Sequence, residues 1–324
     1  MPPHNGHRHL IQFAQSHIDH LTVIIFTKSQ EPIPGHLRVQ WMREIFPNIE
    51  LIHVTDEHPV DFRDSTIWSL WIDSIRRVCP QTPDIVFSSE DYGDELAARL
   101  GARHILVDKA RSSVPVSSSL IRNHPFDYWH FLPSCVRPYF LKRVCLLGAE
   151  STGKTTLAQA LAKHFSTVWV PEYAREYLES KKGFCELMDI IPIAEGQVAL
   201  EDSLAQHANR LLICDTNLIA TMVWSEHYFS FCPAEILDMV NERKYDFYLV
   251  PDIDLPWIDD GLRDSPGHRD WFHNRFLSEV QHREVPYAIL SGAFQKRLDT
   301  AIQTINAILK VNPQSSAMAN AAEF

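Results

Sequence analysis

Residues 148–156 read GAESTGKTT, and no other stretch restricts the fold of this chain as tightly. The spacing Gly148-x-x-x-x-Gly153-Lys154-Thr155 is a complete Walker A pattern. It follows the apolar run Val144-Cys145-Leu146-Leu147 and precedes a helical pattern with Leu157, Ala158, Leu161 and Ala162 on one face. Strand, loop and helix are the context the motif needs. The glycines let successive backbone N–H groups face a phosphate, and the helix N-terminus adds positive potential. Lys154 is expected to reach the outer phosphates and Thr155 to ligate Mg²⁺, with Glu150, Ser151, Thr152 and Thr156 completing the nucleotide loop. ATP or GTP is the expected ligand. A chance glycine-rich turn would not match both the spacing and the flanking pattern.

The loop lies halfway along a chain of 324 residues, long enough for two domains, and 45 % hydrophobic composition supplies their cores. Short β-rich runs alternate with amphipathic helical stretches, which predicts parallel α/β architecture throughout. In the first half the strands are expected at 22–27, 49–54, 84–89 and 104–108, with helices near 7–19, 35–46, 64–79 and 93–100. In the second half the strands are expected at 143–148, 166–171, 210–215, 247–252 and 287–292. The aromatic stretch 126–142, with Pro133 and Pro138, breaks both rhythms. Domains are therefore expected at 1–138 and 139–311, with 312–324 as a flexible tail.

Charge narrows the partners. The formal net charge is −11, with no polybasic block, which speaks against nucleic acid or an anionic membrane surface. The apolar runs are strand-sized, so neither a membrane-spanning helix nor a secretory leader is expected and the setting is cytoplasmic. Six cysteines without a CxxC pair read as reduced thiols, with Cys145 and Cys214 inside strand-like runs.

Several side chains stand where chemistry would need them. Asp215 ends the apolar run Leu211-Leu212-Ile213-Cys214 and is expected beside the metal, although a strand-terminal aspartate also serves as a helix cap. Glu172 follows the second strand of this half, at the sheet edge where ligands bind, and could accept a proton from a substrate hydroxyl; a first-turn helix acid fits equally well. The segment 256–276, with Arg263, Arg269 and Arg275, reads as a mobile lid whose arginines close on transferred phosphate. Arg263 and Arg269 are the stronger candidates. A solvated loop with ordinary ion pairs is the alternative.

In the first half, HNGH places His4 and His7 three apart at a helix start, where they can hold a phosphate together with the helix N-terminus. A metal pair or a polar cap would use the same letters. The stretch VSSSLIR supplies Ser118, Ser119 and Arg122 for the same anion. Together these resemble the HxGH and SSTxxR pair of α/β nucleotidyltransferases.

The order of HNGH, LRVQWMREIFP, FSSEDYGDELAARLGARHILVD, VPVSSSLIR, GAESTGKTTLAQALA, PEYAREYL, ICDTN and PWIDDGLR resembles the bifunctional NadR-type proteins over nearly the whole chain. The resemblance implies a Rossmann-like HxGH nucleotidyltransferase domain followed by a P-loop kinase domain. It also implies a transferase of NAD salvage. The kinase would convert nicotinamide riboside and ATP to nicotinamide mononucleotide, and the other domain would adenylylate that product to NAD. By position, His4, His7, Ser118, Ser119 and Arg122 would contact ATP phosphates, while Lys28, Arg38, Trp41 and Asp108 would lie near nucleotides. Trp41 fits a core aromatic better than a ring-stacking one. Lys154, Thr155 and Asp215 would organise MgATP while Glu172 prepares the 5′-hydroxyl.

Two departures qualify the resemblance. No helix-turn-helix precedes HNGH, so repressor function is not expected. The family's first apolar strand and Gly-x-Phe-x-Pro-like loop are also missing before it. The expectation is an upstream strand and loop outside the printed chain, with weak adenylyl transfer from the chain as printed. A riboside kinase whose N-terminal half only binds nucleotide, and a non-enzymatic nucleotide-dependent regulator, stand as alternatives; homo-oligomerisation is left open.

Overall fold

The computed structural model of the protein describes residues 1–60, 65–258 and 266–310. The chain divides into two compact units, Met1–Val136 and Arg137–Phe324. The tail expected at 312–324 lies outside the described residues.

Unit 1 alternates helix and strand: α1 (Asn5–Gln15), β1 (Thr22–Phe26), α2 (Gly35–Ile45), β2 (Glu50–Val54), α3 (Ile67–Val78), β3 (Ile85–Ser88), α4 (Tyr92–Leu100), β4 (Arg103–Leu106) and α5 (Ser118–Asn123). Its strands form two parallel pairs, β1 with β2 and β3 with β4. Ile11 of α1, Ile25 of β1, and Val39, Met42 and Phe46 of the α2 region close one core, because the apolar positions of α2 recur three and four apart and face the sheet.

Unit 2 continues with α6 (Arg137–Phe140), β5 (Lys142–Leu146), α7 (Lys154–His164), β6 (Trp169–Val170), α8 (Tyr173–Ser180), α9 (Ile190–Ala205), β7 (Leu211–Asp215), α10 (Leu218–Phe229), α11 (Ala234–Glu242), β8 (Phe247–Pro251), α12 (Arg269–His282), β9 (Tyr287–Leu290) and α13 (Phe294–Lys310). One parallel sheet runs β6-β7-β5-β8-β9. Strands β7 and β8 are buried along their whole length, as interior parallel strands covered on both faces must be, which is why their sequences are almost uninterrupted apolar runs. Leu157, Ala158 and Leu161 of α7 and Ala301 and Ile305 of α13 pack on Val144, Leu146, Ile213 and Leu249 from one face.

The β5–β7 register sets Leu146 beside Asp215. The central strand thus delivers the Walker loop, and its neighbour delivers an acid, at the same carboxyl edge of the sheet, where open α/β sheets bind ligands.

Candidate functional site

The Walker loop turns on two residues with positive φ, Ser151 at 56° and Gly153 at 82°. Helix α7 starts immediately afterwards at Lys154, so its first unpaired N–H groups face the loop. Lys154 Nζ donates to the carbonyls of Gly148 and Ala149, each at 2.9 Å. Burial lowers its pKa, opposed by the nearby Glu172 and Asp215. Thr152 is buried and its hydroxyl donates to Ala149 O, whereas Thr156 is exposed.

Asp215 is 1 % exposed. Its Oδ2 accepts the Thr155 hydroxyl at 2.5 Å, and its Oδ1 is buried with no hydrogen-bond partner among the described residues. Burial, reinforced by the charge of Glu172, pushes this carboxyl up to about 6. A buried carboxylate oxygen without a donor, beside a threonine hydroxyl and a phosphate loop, fits a hard cation such as Mg²⁺. Among the described residues no group of three or more His, Cys, Asp or Glu could hold a metal alone. A Mg²⁺ here would therefore depend on phosphate oxygens and water for most of its ligands, as this ion usually does.

Glu172 occupies the N-cap position of α8, yet its side chain makes no capping hydrogen bond. The carboxylate instead lines the cleft with Lys154, and its Oε2 accepts from Arg175 Nε at 3.1 Å. A cap role leaves this side chain unexplained. The same cleft, about 940 Å³ including space open to solvent, is walled by Leu178, Ile190 and Ile193 and by the rings of Trp224 and Tyr228, which stack 5.4 Å apart at 19°. Phosphate chemistry at one end and flat apolar walls at the other suit a nucleoside-like molecule.

The lid expectation needs correction. From Arg269 onward the segment is α12, anchored by Phe272 and Phe276, which are among the most deeply buried side chains in the protein. Their spacing of four was the overlooked sign of a packed helix. Arg275 is held by Glu226 at 3.0 and 3.1 Å and by Glu279 at 2.5 Å, so it stabilises α12 against α10. Arg269 differs from it. Its Nη1 donates to Leu255 O at 2.9 Å, while Nε and Nη2 are buried without a partner among the described residues. Arg263 lies outside the described residues.

Sequence reasoning missed Arg297, for which no motif exists. Buried on α13, it donates to Thr152 O at 2.9 Å, Gly292 O at 2.8 Å and Asp252 O at 3.2 Å and pairs with Asp254, bracing the Walker loop from behind. Arg175 was missed as well, although it stands three residues after Glu172 in a helical string.

In unit 1, His4 is the N-cap of α1. Its Nδ1 accepts from Gly6 N–H at 3.1 Å, and His7 Nδ1 accepts from His4 N–H at 3.3 Å. A Cβ at Gly6 would lie 2.9 Å from the His4 ring, so this position suits glycine. Burial pushes His4 down to about 3, with the α-amino group and Arg111 acting in the same direction; His7 is pushed well below its ordinary value by burial, His4 and the surrounding cations. Both rings are neutral at pH 7. Because each Nδ1 is an acceptor, the proton of each ring belongs on Nε2. Ser118 Oγ donates to Pro2 O at 3.4 Å, Arg122 donates to Met1 O and to Ser119 Oγ, each at 3.1 Å, and the two expected clusters are thus brought together.

Of the looser candidates, Arg38, Trp41 and Asp108 have structural occupations, whereas Lys28 is tied down through its backbone. Arg38 is buried, pairs with Glu31 and donates to Phe26 O at 3.0 Å. Lys28 donates its backbone N–H to Glu31. Trp41 is 5 % exposed and belongs to the buried apolar set, in line with its reading as a core aromatic. The Asp108 carboxylate accepts from the backbone N–H groups of Ser112, Ser113 and Val114, which holds a turn.

Comparison with known proteins extends over both units. The chain is 29 % identical over 313 residues to the trifunctional NAD biosynthesis/regulator protein NadR of Escherichia coli K12, covering 88 % of this chain and 75 % of that protein. The corresponding protein of Salmonella typhimurium LT2 is 28 % identical over 318 residues, covering 90 % and 77 %. A crystal structure of a NadR protein in complex with NR superposes with a TM-score of 0.80 at 21 % identity, over 96 % of this chain and 94 % of that one. The chain is similar to NadR proteins in sequence and shares their fold over nearly its whole length. A crystal structure of NadR with NAD and AMP-PNP matches this NadR-type fold almost as well, with a TM-score of 0.79. Within unit 2, residues 143–297 match the AAA domain family, the part that contains the Walker loop, Glu172, Asp215 and Arg297.

Proposed function

We propose that this chain makes NAD from nicotinamide riboside in two ATP-dependent transfers, phosphorylation in unit 2 and adenylylation in unit 1. The observation that carries the reading is that Lys154 and Glu172 line one cleft together with a flat-walled apolar recess, while the hydrogen-bonded Thr155–Asp215 pair lies close enough to both charges to feel them. The NadR relatives are named for NAD biosynthesis, and one structural neighbour contains NR while another contains NAD and AMP-PNP.

In unit 2, Lys154 and the α7 N-terminus hold the phosphates of ATP, and Glu172 accepts the proton of the riboside 5′-hydroxyl as it attacks the γ-phosphorus. Arg175 holds that carboxylate in place through its Nε–H. A Mg²⁺ held by Thr155 and Asp215 would neutralise phosphate oxygens. Arg269 offers two further donors to transferred charge.

In unit 1, the Nε2–H groups of neutral His4 and His7, with Ser118, Ser119 and Arg122, bind ATP phosphates while the mononucleotide phosphate attacks the α-phosphorus and pyrophosphate leaves. Positioning and charge stabilisation suffice, and no covalent intermediate is needed. A kinase-only chain is the second reading, favoured by the division of the unit 1 strands into two separate pairs. Purified protein given nicotinamide riboside and MgATP separates the readings by product. NAD supports both transfers, mononucleotide alone supports the second reading, and no phosphorylated product defeats both.

A further inference from the structure

We infer that Gln197 is a specificity-determining residue that reads an exocyclic carbonyl oxygen on the base of the riboside. The inference rests on the proposed kinase reaction and names what the same cleft selects. Gln197 lies on α9, is 3 % exposed and lines the cleft together with Lys154, Glu172 and Trp224. Its Oε1 accepts the backbone N–H of Tyr173 at 2.9 Å. Tyr173 is the first residue of α8, so this N–H has no partner within its own helix.

That bond fixes which way the amide faces. A backbone N–H can only donate, so the oxygen of Gln197 must point to α8 and its NH₂ must point elsewhere. The Nε2 atom is buried and has no hydrogen-bond partner among the described residues. A buried donor left without an acceptor is unfavourable, and a ligand that brings an acceptor relieves it. Leu178, Ile190, Ile193 and the stacked rings of Trp224 and Tyr228 line the same cleft with flat or apolar surface. The cleft therefore suits a flat ring that carries an acceptor for Gln197. In nicotinamide riboside that acceptor is the carboxamide oxygen. Gln197 is uncharged, so it adds no cation against the positively charged pyridinium ring.

The test compares two ribosides with the same sugar, glycosidic bond and ring charge: nicotinamide riboside and N-ribosylpyridinium, which lacks the carboxamide. Wild-type protein with MgATP should favour nicotinamide riboside in kcat/KM on the order of 10- to 100-fold, the size of one buried hydrogen bond. Gln197→Met should bring that ratio close to one by raising KM for nicotinamide riboside. Gln197→Glu, assayed at pH 8, retains an acceptor for Tyr173 N–H but turns an oxygen towards the carbonyl, and should collapse the ratio as well. If both variants weaken the two substrates equally and keep the wild-type ratio, Gln197 only anchors α8 and the inference is wrong while the kinase reading stands. Wild-type protein that phosphorylates neither riboside overturns both.

Discussion

A carboxylate at the head of a helix can cap that helix or serve a substrate, and at Glu172 the geometry speaks against the first. The position is that of a cap, but the side chain makes no capping bond; it pairs with Arg175, and Glu172 lines the cleft along with Lys154. Glu172→Gln should therefore slow riboside phosphorylation by roughly 10²–10⁴-fold, the range for a lost general base, with MgATP affinity little changed when measured by calorimetry. A rate within a few-fold of wild type would return Glu172 to the role of a structural acid. The histidines of unit 1 yield a prediction of a different kind. Burial holds His4 near 3 and His7 well below its usual range, so the unfolded chain binds protons that the folded chain refuses. The contribution of His4 to stability is complete above about pH 6.5 and is lost as pH falls towards 3, by about 1.4 kcal/mol per pH unit, and that of His7 is lost in the same direction. Urea denaturation between pH 6.5 and 5 should show a shallower acid slope in His4→Asn than in wild type, asparagine being an adequate N-cap. An unchanged slope would mean that His4 is already protonated in the folded protein.

At the scale of elements, the catalytic geometry depends on how α8 and α9 meet. A Cβ at Gly196 would lie 2.0 Å from the Tyr173 ring, and the next residue, Gln197, accepts the Tyr173 N–H. Gly196→Ala should push α8 outward and carry Glu172 with it, lowering kcat more than ATP binding and reducing thermal stability; a variant with wild-type kcat would show that α8 is not positioned this way. Arg297 braces the other side of the site. Its removal leaves the carbonyls of Thr152, Gly292 and Asp252 without their donor, at about 1–3 kcal/mol for each acceptor that stays buried. Arg297→Leu should therefore lower the melting temperature and weaken MgATP binding together, whereas loss of stability with intact ATP affinity would detach Arg297 from the loop. These element contacts also mark the limit of what a sequence reveals. The Walker loop, Asp215 and the alternation of strands were legible because each is local: a fixed spacing, an apolar run, a period. Arg297 and Gln197 were not, since their significance comes from partners 145 and 24 residues away in the chain. The part of the lid expectation that falls on 269–276 was misread for a related reason, as polar residues between Phe272 and Phe276 obscured the buried face of α12.

For the whole molecule, the central claim is that two phosphate sites, built from different residues in different units, carry two reactions. The resemblance legible along the sequence spans both units, and so does the similarity to NadR, whereas the AAA domain match is confined to residues 143–297. Among the described residues no helix is long and apolar enough to cross a membrane, and with a formal net charge of −11 any anionic ligand depends on locally basic sites. Lys154→Ala offers the most direct test, because Lys154 belongs to unit 2 and the His4–Arg122 cluster to unit 1. The measurement is product formation by the folded variant in MgATP, first with nicotinamide riboside and then with nicotinamide mononucleotide. The account predicts no product from the riboside and NAD from the mononucleotide at the wild-type rate. Continued phosphorylation of the riboside, or loss of NAD formation from a mononucleotide that wild-type protein converts, would contradict it.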